Sequence, residues 1–280
     1  MNRAPALAAR IDRLAEVAAA EPRLDGVLLY GSWTLGEADE HSDVEAYVFV
    51  RDEHAADFDG DAFLARVAPL ALACTNSFGV RAVIFDDLMR GEFHFGAAGP
   101  GIEAMAGWRG LVHFPEPERA VLLDRSGRLT EQVARLAEFV PPEPGSTARQ
   151  RVDELTNWTL MLAHLLDRGE TARAHAALTT LVAPHQLQLC RLLRDSTRHW
   201  LTPSRALEAD LPAADQVRYT TTTAAAEPDA IRAAARESWR WSRELAGEAE
   251  QRWGVAVPHD LHARITHRLD PHPRHPSGTE

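Results

Sequence analysis

The sequence predicts an α+β fold, with an N-terminal domain built on a mixed sheet flanked by helices and a C-terminal helical bundle domain. Short β-branched and aromatic runs alternate with helical periodicity up to about residue 140, and only helical periodicity follows. Between these regions, PPEPGST disfavours both helix and strand. We therefore expect domains at 1–140 and 148–268, a linker at 141–147 and a polar, disordered tail at 269–280.

The N-terminal domain is predicted to open with an amphipathic helix, because apolar residues recur at helical spacing at Leu7, Ile11, Leu14 and Ala18. Residues 92–95 fit a short strand or a loop. The remaining patterns predict strands at 26–30, 44–50, 81–85 and 122–124, and helices at 61–72 and 129–139.

The C-terminal domain is predicted to be helical throughout, with Pro184 as a kink or interruption. Its expected helices span 148–168, 171–198, 229–252 and 259–268. A stripe at Leu155, Trp158, Leu162 and Leu165 is typical of a bundle core. Three tryptophans are assigned to packing and five histidines to solvent: Trp239, Trp241, Trp253, His259, His262, His267, His272 and His275.

The basic residues restrict the chemistry that the chain can perform. All 30 are arginine, which excludes lysine Schiff bases and the lysines that P-loop enzymes and protein kinases use on phosphates. Phosphate must therefore be met by arginine, backbone N–H groups, hydroxyls or metal ions. The formal net charge of −11 gives no global basic field, so nucleic acid is not an expected partner.

Nothing in the sequence predicts a membrane segment, because no apolar run approaches the roughly 20 residues that a spanning helix needs. Charged residues such as Arg10 and Asp12 interrupt the N-terminal stretch, unlike a secretory signal. A cytoplasmic location is expected. Two cysteines, Cys74 and Cys190, lie among apolar residues and are predicted to be buried reduced thiols.

The segment 30–47, YGSWTLGEADEHSDVEAY, contains the candidate site. Gly31 and Ser32 follow a predicted strand, where a tight turn can present N–H groups and a hydroxyl to phosphate. Asp43 and Glu45 are two residues apart at the start of the next strand, so both side chains point to one face. Two adjacent carboxylates repel each other unless a cation lies between them, and Mg²⁺ prefers oxygen ligands. This pattern predicts a metal-dependent phosphoryl or nucleotidyl transfer site.

Two further residues extend this candidate site. Glu92 follows the predicted strand 81–85, and can approach the metal pair if that strand lies beside the strand carrying Asp43 and Glu45. It is the candidate base for the attacking hydroxyl. His94 shares its face if residues 92–95 are extended, and is a candidate substrate contact; the alternative is a partly buried structural histidine.

The order Gly31-Ser32, then Asp43-Val44-Glu45, resembles the signature of the polymerase-β-like nucleotidyltransferases. Together with VIFDDLMRGEFHF and RGETARAHAALTTLVAPHQLQLCRLLRDS, it is similar to the larger type of lincosamide nucleotidyltransferase, from the first helix to about residue 262. The resemblance implies a nucleotidyltransferase catalytic domain, a helical domain that closes over the substrate, and a homodimer. It also implies an NTP as co-substrate, with ATP as the first candidate, and Mg²⁺, expected as two ions.

Carried over by position, Asp43 and Glu45 match the metal carboxylates and Glu92 the base. Gly31 and Ser32 match the phosphate-contacting turn, with Thr34 included as a nucleotide contact. Two arginines of the helical domain, Arg173 and Arg191, are candidate triphosphate contacts in a closed form; surface salt bridging is their alternative. The chain departs from the family at Leu35, where relatives carry a basic residue, and in its alanine- and arginine-rich helical domain.

The expected reaction is the transfer of a nucleoside monophosphate to a hydroxyl of a small-molecule antibiotic, with a lincosamide as the first candidate. An aminoglycoside or another hydroxylated metabolite is an alternative acceptor. A second class of function is a toxin-type enzyme that modifies tRNA or protein, which the net charge disfavours for RNA. A third is a non-catalytic nucleotide-binding module, which would have no need of all three carboxylates.

Overall fold

The computed structural model describes residues 4–270. Contacts divide the chain between Val140 and Pro141 into two compact units. Most of the predicted tail, with His272 and His275, lies outside the described residues. In the described part of the chain, every helix is too short or too polar to cross a lipid bilayer.

A mixed six-stranded sheet forms the centre of the N-terminal unit, in the order β3-β4-β5-β2-β1-β6. The pairing of β2 with β5 is parallel, whereas every other neighbouring pair is antiparallel. The strands are β1 (Leu24–Leu29), β2 (Val44–Val50), β3 (Leu70–Thr75), β4 (Arg81–Phe85), β5 (Arg90–Ala97) and β6 (Val121–Asp124). The predicted fold class is confirmed, and the uncertain segment 92–95 lies inside β5.

Helices cover both faces of this sheet. The first, α1 (Pro5–Ala19), buries Leu7, Ile11, Leu14 and Ala18 in the core on one face, as the periodicity predicts. Leu28 and Phe49 face the opposite core, which includes Ile102 and Leu129. The other helices of the unit are α2 (Gly60–Ala65), α3 (Ala98–Ala104), α4 (Pro117–Ala120) and α5 (Arg128–Ala134), with 3₁₀ turns at Asp52–Asp57 and Met105–Trp108.

The helix predicted over 61–72 is wrong in its second half, because α2 ends at Ala65 and β3 begins at Leu70. Pro69 explains the break, since a proline disfavours helical backbone in the residue before it. The new strand lies at one edge of the sheet. Its Cys74 is exposed, contrary to the buried thiol expected, whereas Cys190 is buried.

Seven helices form the described part of the C-terminal unit: α6 (Pro144–Asp167), α7 (Thr171–Ala177), α8 (Ala183–Leu193), α9 (Leu207–Asp210), α10 (Ala213–Thr221), α11 (Pro228–Trp253) and α12 (His259–Leu269). The linker expected at 141–147 is too long, because α6 begins at Pro144. Proline is tolerated in a first turn, where its missing N–H has no partner in the helix. The Glu143 carboxylate accepts hydrogen bonds from Gly145 N and Ser146 N and so caps this helix.

The single helix expected over 171–198 is divided. A π-helical turn, Leu178–Val182, separates α7 from α8, and Pro184 lies in the first turn of α8. The segment ends at Leu193, since Asp195 has a left-handed φ of 54° that a helix cannot continue. The short helices α9 and α10 have no counterpart in the prediction.

The bundle core contains the predicted stripe, with Leu155, Leu162 and Leu165 buried and Trp158 packed at its edge. Trp239 and Trp241 are buried in the same core, as expected. His262 corrects the expectation of a solvated histidine, because it is only 3% exposed. Its burial follows from the amphipathic α12, which places His262 on the same face as the buried Ile265.

His262 is expected to make the stability of the protein depend on pH. The Thr156 hydroxyl donates to Val152 O, so its oxygen accepts from His262 Nε2 at 2.8 Å. Burial, with smaller contributions from Arg243 and His259, lowers the pKa of His262 to about 4 from 6.5. Because the unfolded chain then binds a proton that the folded chain excludes, stability falls as the pH drops from about 6.5 to about 4, by about 3 kcal/mol.

Urea unfolding of wild type and His262→Gln across this pH range measures the effect. Glutamine can still donate to Thr156 but does not titrate, so its loss of stability on acidification should be smaller. His54→Gln is the control, since that histidine is exposed in the N-terminal unit. Parallel pH curves for wild type and His262→Gln would show that His262 does not carry the dependence.

Candidate active site

Two of the three predicted carboxylates lie opposite each other in the centre of the sheet. In the parallel pairing of β2 with β5, Glu45 is the register partner of Glu92. Val44 and Ala46 are buried on the other face, so the alternation places Glu45 on the more open side with Glu92. Asp43 immediately precedes β2. The pairing of β2 with β5 thus brings Glu92 to this site.

The turn after β1 packs directly against Glu45. Gly31 has a φ of +74°, and a Cβ atom there would lie 1.6 Å from Glu45 Oε2. The backbone N–H of Tyr30 also donates to Glu45 O at 3.0 Å. Glycine is therefore required at this position both by the left-handed conformation and by the close approach of the carboxylate.

Ser32 and Thr34 have different places in this turn. Ser32 is partly exposed, and its carbonyl accepts from Glu37 N at 2.9 Å. The Thr34 side chain is buried, and its hydroxyl donates to Gly31 O at 3.0 Å. That hydroxyl closes the turn internally, so the prediction that it contacts a nucleotide is corrected.

Arg90 links Asp43 to Glu92. Its Nη1 lies 3.6 Å from Asp43 Oδ2, and its Nη2 lies 3.2 Å from Glu92 Oε1. Arg90 and Glu92 are two residues apart on β5 and share a face. The guanidinium partly offsets the charge of two acidic groups that the sequence predicted to be near each other.

An aromatic cluster lies beside these carboxylates on the same face of the sheet. The Tyr47 ring stacks on His94 with centroids 4.2 Å apart and also packs against Tyr30 and Trp108. Tyr30 Oη and His94 Nε2 are hydrogen-bonded at 3.2 Å. Burial lowers the pKa of His94, although Glu92 opposes this effect. His94 is thus part of the wall of the site, and its contact with substrate stays a prediction.

The pKa of the Tyr30 phenol is affected by the acidic groups of the site. Burial raises the pKa of Tyr30 far above its usual value, followed by the negative charge of Glu45 and then by Tyr47, Glu92 and Asp43. All three predicted carboxylates therefore act on one hydroxyl, which stays protonated as a hydrogen-bond donor. The site is a group of acidic side chains over a polar aromatic wall.

The donor atoms suit a hard divalent cation, since carboxylate oxygens are what Mg²⁺ prefers. Within residues 4–270, however, no three His, Cys, Asp or Glu side chains are grouped closely enough to hold a metal ion. Arg90 contacts two of the carboxylates in this arrangement. Metal binding by Asp43 and Glu45 stays a prediction that their chemistry fits.

A family model described as "Lincosamide nucleotidyltransferase-like, C-terminal domain" matches residues 146–268. The match confirms the predicted resemblance to antibiotic nucleotidyltransferases and the predicted enzyme class, a nucleotidyltransferase. No curated protein matches the chain.

Two solved structures are similar to the chain at low identity. An aminoglycoside 6-adenyltransferase from Bacillus subtilis is 14% identical, with a TM-score of 0.42, covering 93% of this chain and 95% of that one. A nucleotidyltransferase-like protein from Exiguobacterium sibiricum 255-15 is 14% identical, with a TM-score of 0.36, covering 94% and 88%.

Within the lincosamide nucleotidyltransferase-like domain, the two candidate arginines differ sharply. Arg191 is fully buried, and its guanidinium donates to the carbonyls of Pro203, Ser196 and Arg205 and to the carboxylate of Asp210. Its predicted contact with a triphosphate is therefore wrong, because its hydrogen bonds are committed to the fold. Arg173 is 64% exposed and pairs with Glu170 at 3.0 Å, and its nucleotide contact stays a prediction.

Sequence reasoning missed Arg90, Tyr30, Tyr47 and Trp108. Alternation could have identified Tyr47, which shares a face with Glu45, and Arg90, which shares a face with Glu92. Tyr30 could have been identified from its position directly before Gly31. Trp108 comes from a 3₁₀ turn far along the chain. No local pattern connects that residue to the site.

Proposed function

We propose that this protein transfers a nucleoside monophosphate from an NTP, with ATP as the first candidate, to a hydroxyl of a small-molecule antibiotic, with a lincosamide as the first candidate. Such a transfer would inactivate the drug. The proposal is carried by one observation: Glu45 lies opposite Glu92 across the pairing of β2 with β5, Arg90 joins Glu92 to Asp43, and a glycine turn packs on Glu45. The family match over residues 146–268 supports the same chemistry.

The proposed reaction assigns a role to each acidic residue. Asp43 and Glu45 would hold Mg²⁺, expected as two ions, which when bound neutralises charge on the α-phosphate and the leaving pyrophosphate. The acceptor hydroxyl attacks the α-phosphorus, a new O–P bond forms, and the bond to the β-phosphate breaks. Glu92 accepts the hydroxyl proton, and pyrophosphate leaves.

The turn and the aromatic wall position the reactants in this proposal. Gly31 and Ser32 offer backbone N–H groups and a hydroxyl to phosphate oxygens. His94, with its lowered pKa, stays neutral near pH 7 and so offers the acceptor a hydrogen-bonding group without adding positive charge. Positioning and electrostatics then supply most of the rate enhancement.

An acceptor screen tests the proposal. The protein is incubated with Mg²⁺, with ATP, GTP, CTP or UTP, and with lincosamides, aminoglycosides, tRNA or a protein extract, and the products are weighed by mass spectrometry. We expect a lincosamide heavier by one nucleotide, with pyrophosphate released only when acceptor is present. An aminoglycoside heavier by one nucleotide would revise the proposed acceptor and leave the proposed reaction unchanged. Label in RNA or protein would support the toxin-type alternative, and nucleotide binding without turnover would support a binding module.

A homodimer and a cytoplasmic location belong to the same proposal. The edge strand β3 and the turn that follows it expose Leu72 by 50% and Phe78 by 88%. Exposed apolar side chains at a sheet edge are a favourable surface for self-association. Sedimentation velocity at micromolar concentration distinguishes a dimer from a monomer.

A further inference from the structure

Arg90 occupies a position between two carboxylates that the proposed reaction uses for different purposes. Asp43 is assigned to metal, and Glu92 to the proton of the acceptor. One guanidinium contacts both, at 3.6 Å and 3.2 Å. The side chains of Asp43 and Glu92 are 24% and 27% exposed, whereas that of Arg90 is 60% exposed. The basic group therefore covers the acidic pair from the solvent side.

This arrangement places Arg90 in competition with a cation. Carboxylate oxygens that face a guanidinium are partly neutralised, and a divalent ion binding to the same oxygens must displace that charge or share it. The displacement is inexpensive, since an ion pair whose guanidinium is 60% exposed contributes little to stability. A long, exposed arginine side chain can also change rotamer without disturbing the core.

Arg90 would gain a stronger partner when a triphosphate arrives. The chain contains no lysine, so its only permanently charged side chains for phosphate are arginines. A guanidinium binds phosphate oxygens through two parallel hydrogen bonds, which are stronger than its contact with a single carboxylate oxygen. The two acidic partners of Arg90 would at the same time be taken up by metal and acceptor.

We infer that Arg90 is an exchangeable counter-ion: it holds Asp43 and Glu92 in the free enzyme and moves to the phosphates of the incoming nucleotide. Arg90 is thus a positioning residue with two opposite effects. It weakens binding of metal alone and strengthens binding of the nucleotide. This inference rests on the proposed function for its nucleotide step, whereas its metal step concerns the carboxylates alone.

The test compares wild type with Arg90→Gln and Arg90→Lys. Mn²⁺ is titrated without nucleotide by electron paramagnetic resonance, and KM and kcat for the NTP are measured separately. We expect Arg90→Gln to bind Mn²⁺ about two- to five-fold more tightly. Its KM for the NTP should rise by about ten-fold or more, with kcat changed by less than about three-fold. Arg90→Lys should retain wild-type Mn²⁺ affinity and show an intermediate KM.

Arg81→Gln is the matched control. Arg81 lies on the neighbouring strand β4 opposite the buried Phe93, on the other face of the sheet from Glu92, and pairs with the single carboxylate of Asp61. It should alter neither Mn²⁺ affinity nor KM. Unchanged or weaker Mn²⁺ binding by Arg90→Gln, or an unchanged KM, would overturn the inference. If wild type transfers no nucleotide to any acceptor, the proposed function fails, and the Mn²⁺ titration still decides whether Arg90 shields the carboxylates.

Discussion

Replacing Asp43 with asparagine is expected to lower the rate of nucleotide transfer by about 1,000-fold or more, while the protein stays folded. The change removes one negative charge and keeps the shape of the side chain. Asp43 is partly exposed and precedes β2, so the core does not depend on it. The measurements are pyrophosphate release, Mn²⁺ affinity and the midpoint of thermal unfolding.

Asp39→Asn is the control for this variant. Asp39 is an acidic residue of the same loop whose carboxylate accepts hydrogen bonds from His41 N and the Ser42 hydroxyl. Asparagine can keep the bond to His41 N through its own oxygen, so transfer should change by less than about three-fold. Activity retained in Asp43→Asn would refute the assignment of Asp43 to metal. A similar loss of transfer activity in both variants would show that the effect comes from disturbing the loop and not from losing a metal ligand.

Replacing Arg191 with methionine is expected to destabilise the C-terminal unit by about 3–5 kcal/mol. The side chain is fully buried, and its removal would leave the carbonyls of Pro203 and Ser196 without their donor. It would also take the cation away from Asp210, whose carboxylate is shared with His199. Denaturant unfolding, followed by the fluorescence of the tryptophans in this unit, measures the loss.

Arg173→Met is the matched comparison, because Arg173 is 64% exposed and its pair with Glu170 lies at the surface. Its stability should stay within about 0.5 kcal/mol of wild type. If Arg191→Met has normal stability but a raised KM for the NTP, the hypothesis that Arg191 contacts the nucleotide would be supported against the structure. Loss of stability at Arg191 alone would establish its structural role.

The sequence predicted the parts of the fold that depend on short-range pattern. The spacing of Leu7, Ile11 and Leu14 is sufficient to identify the buried face of α1. The alternation around Glu45 is sufficient to separate the site face from the buried Val44 and Ala46. A helix through 66–72 could also have been rejected from the sequence, because Pro69 interrupts this alanine- and leucine-rich segment and disfavours helical backbone in the residue before it.

The amino-acid sequence by itself determined which residues are available for catalysis. These are Gly31 at a turn, Asp43 and Glu45 on one face, and arginine as the only side chain with a permanent positive charge. Only the tertiary structure decided that Glu92 lies opposite Glu45 and that Arg90 joins Asp43 to Glu92. It also decided that Arg191 is buried among carbonyls. Periodicity records the direction of each side chain within its own element, whereas the partner that it meets is set by contacts between residues distant in the chain.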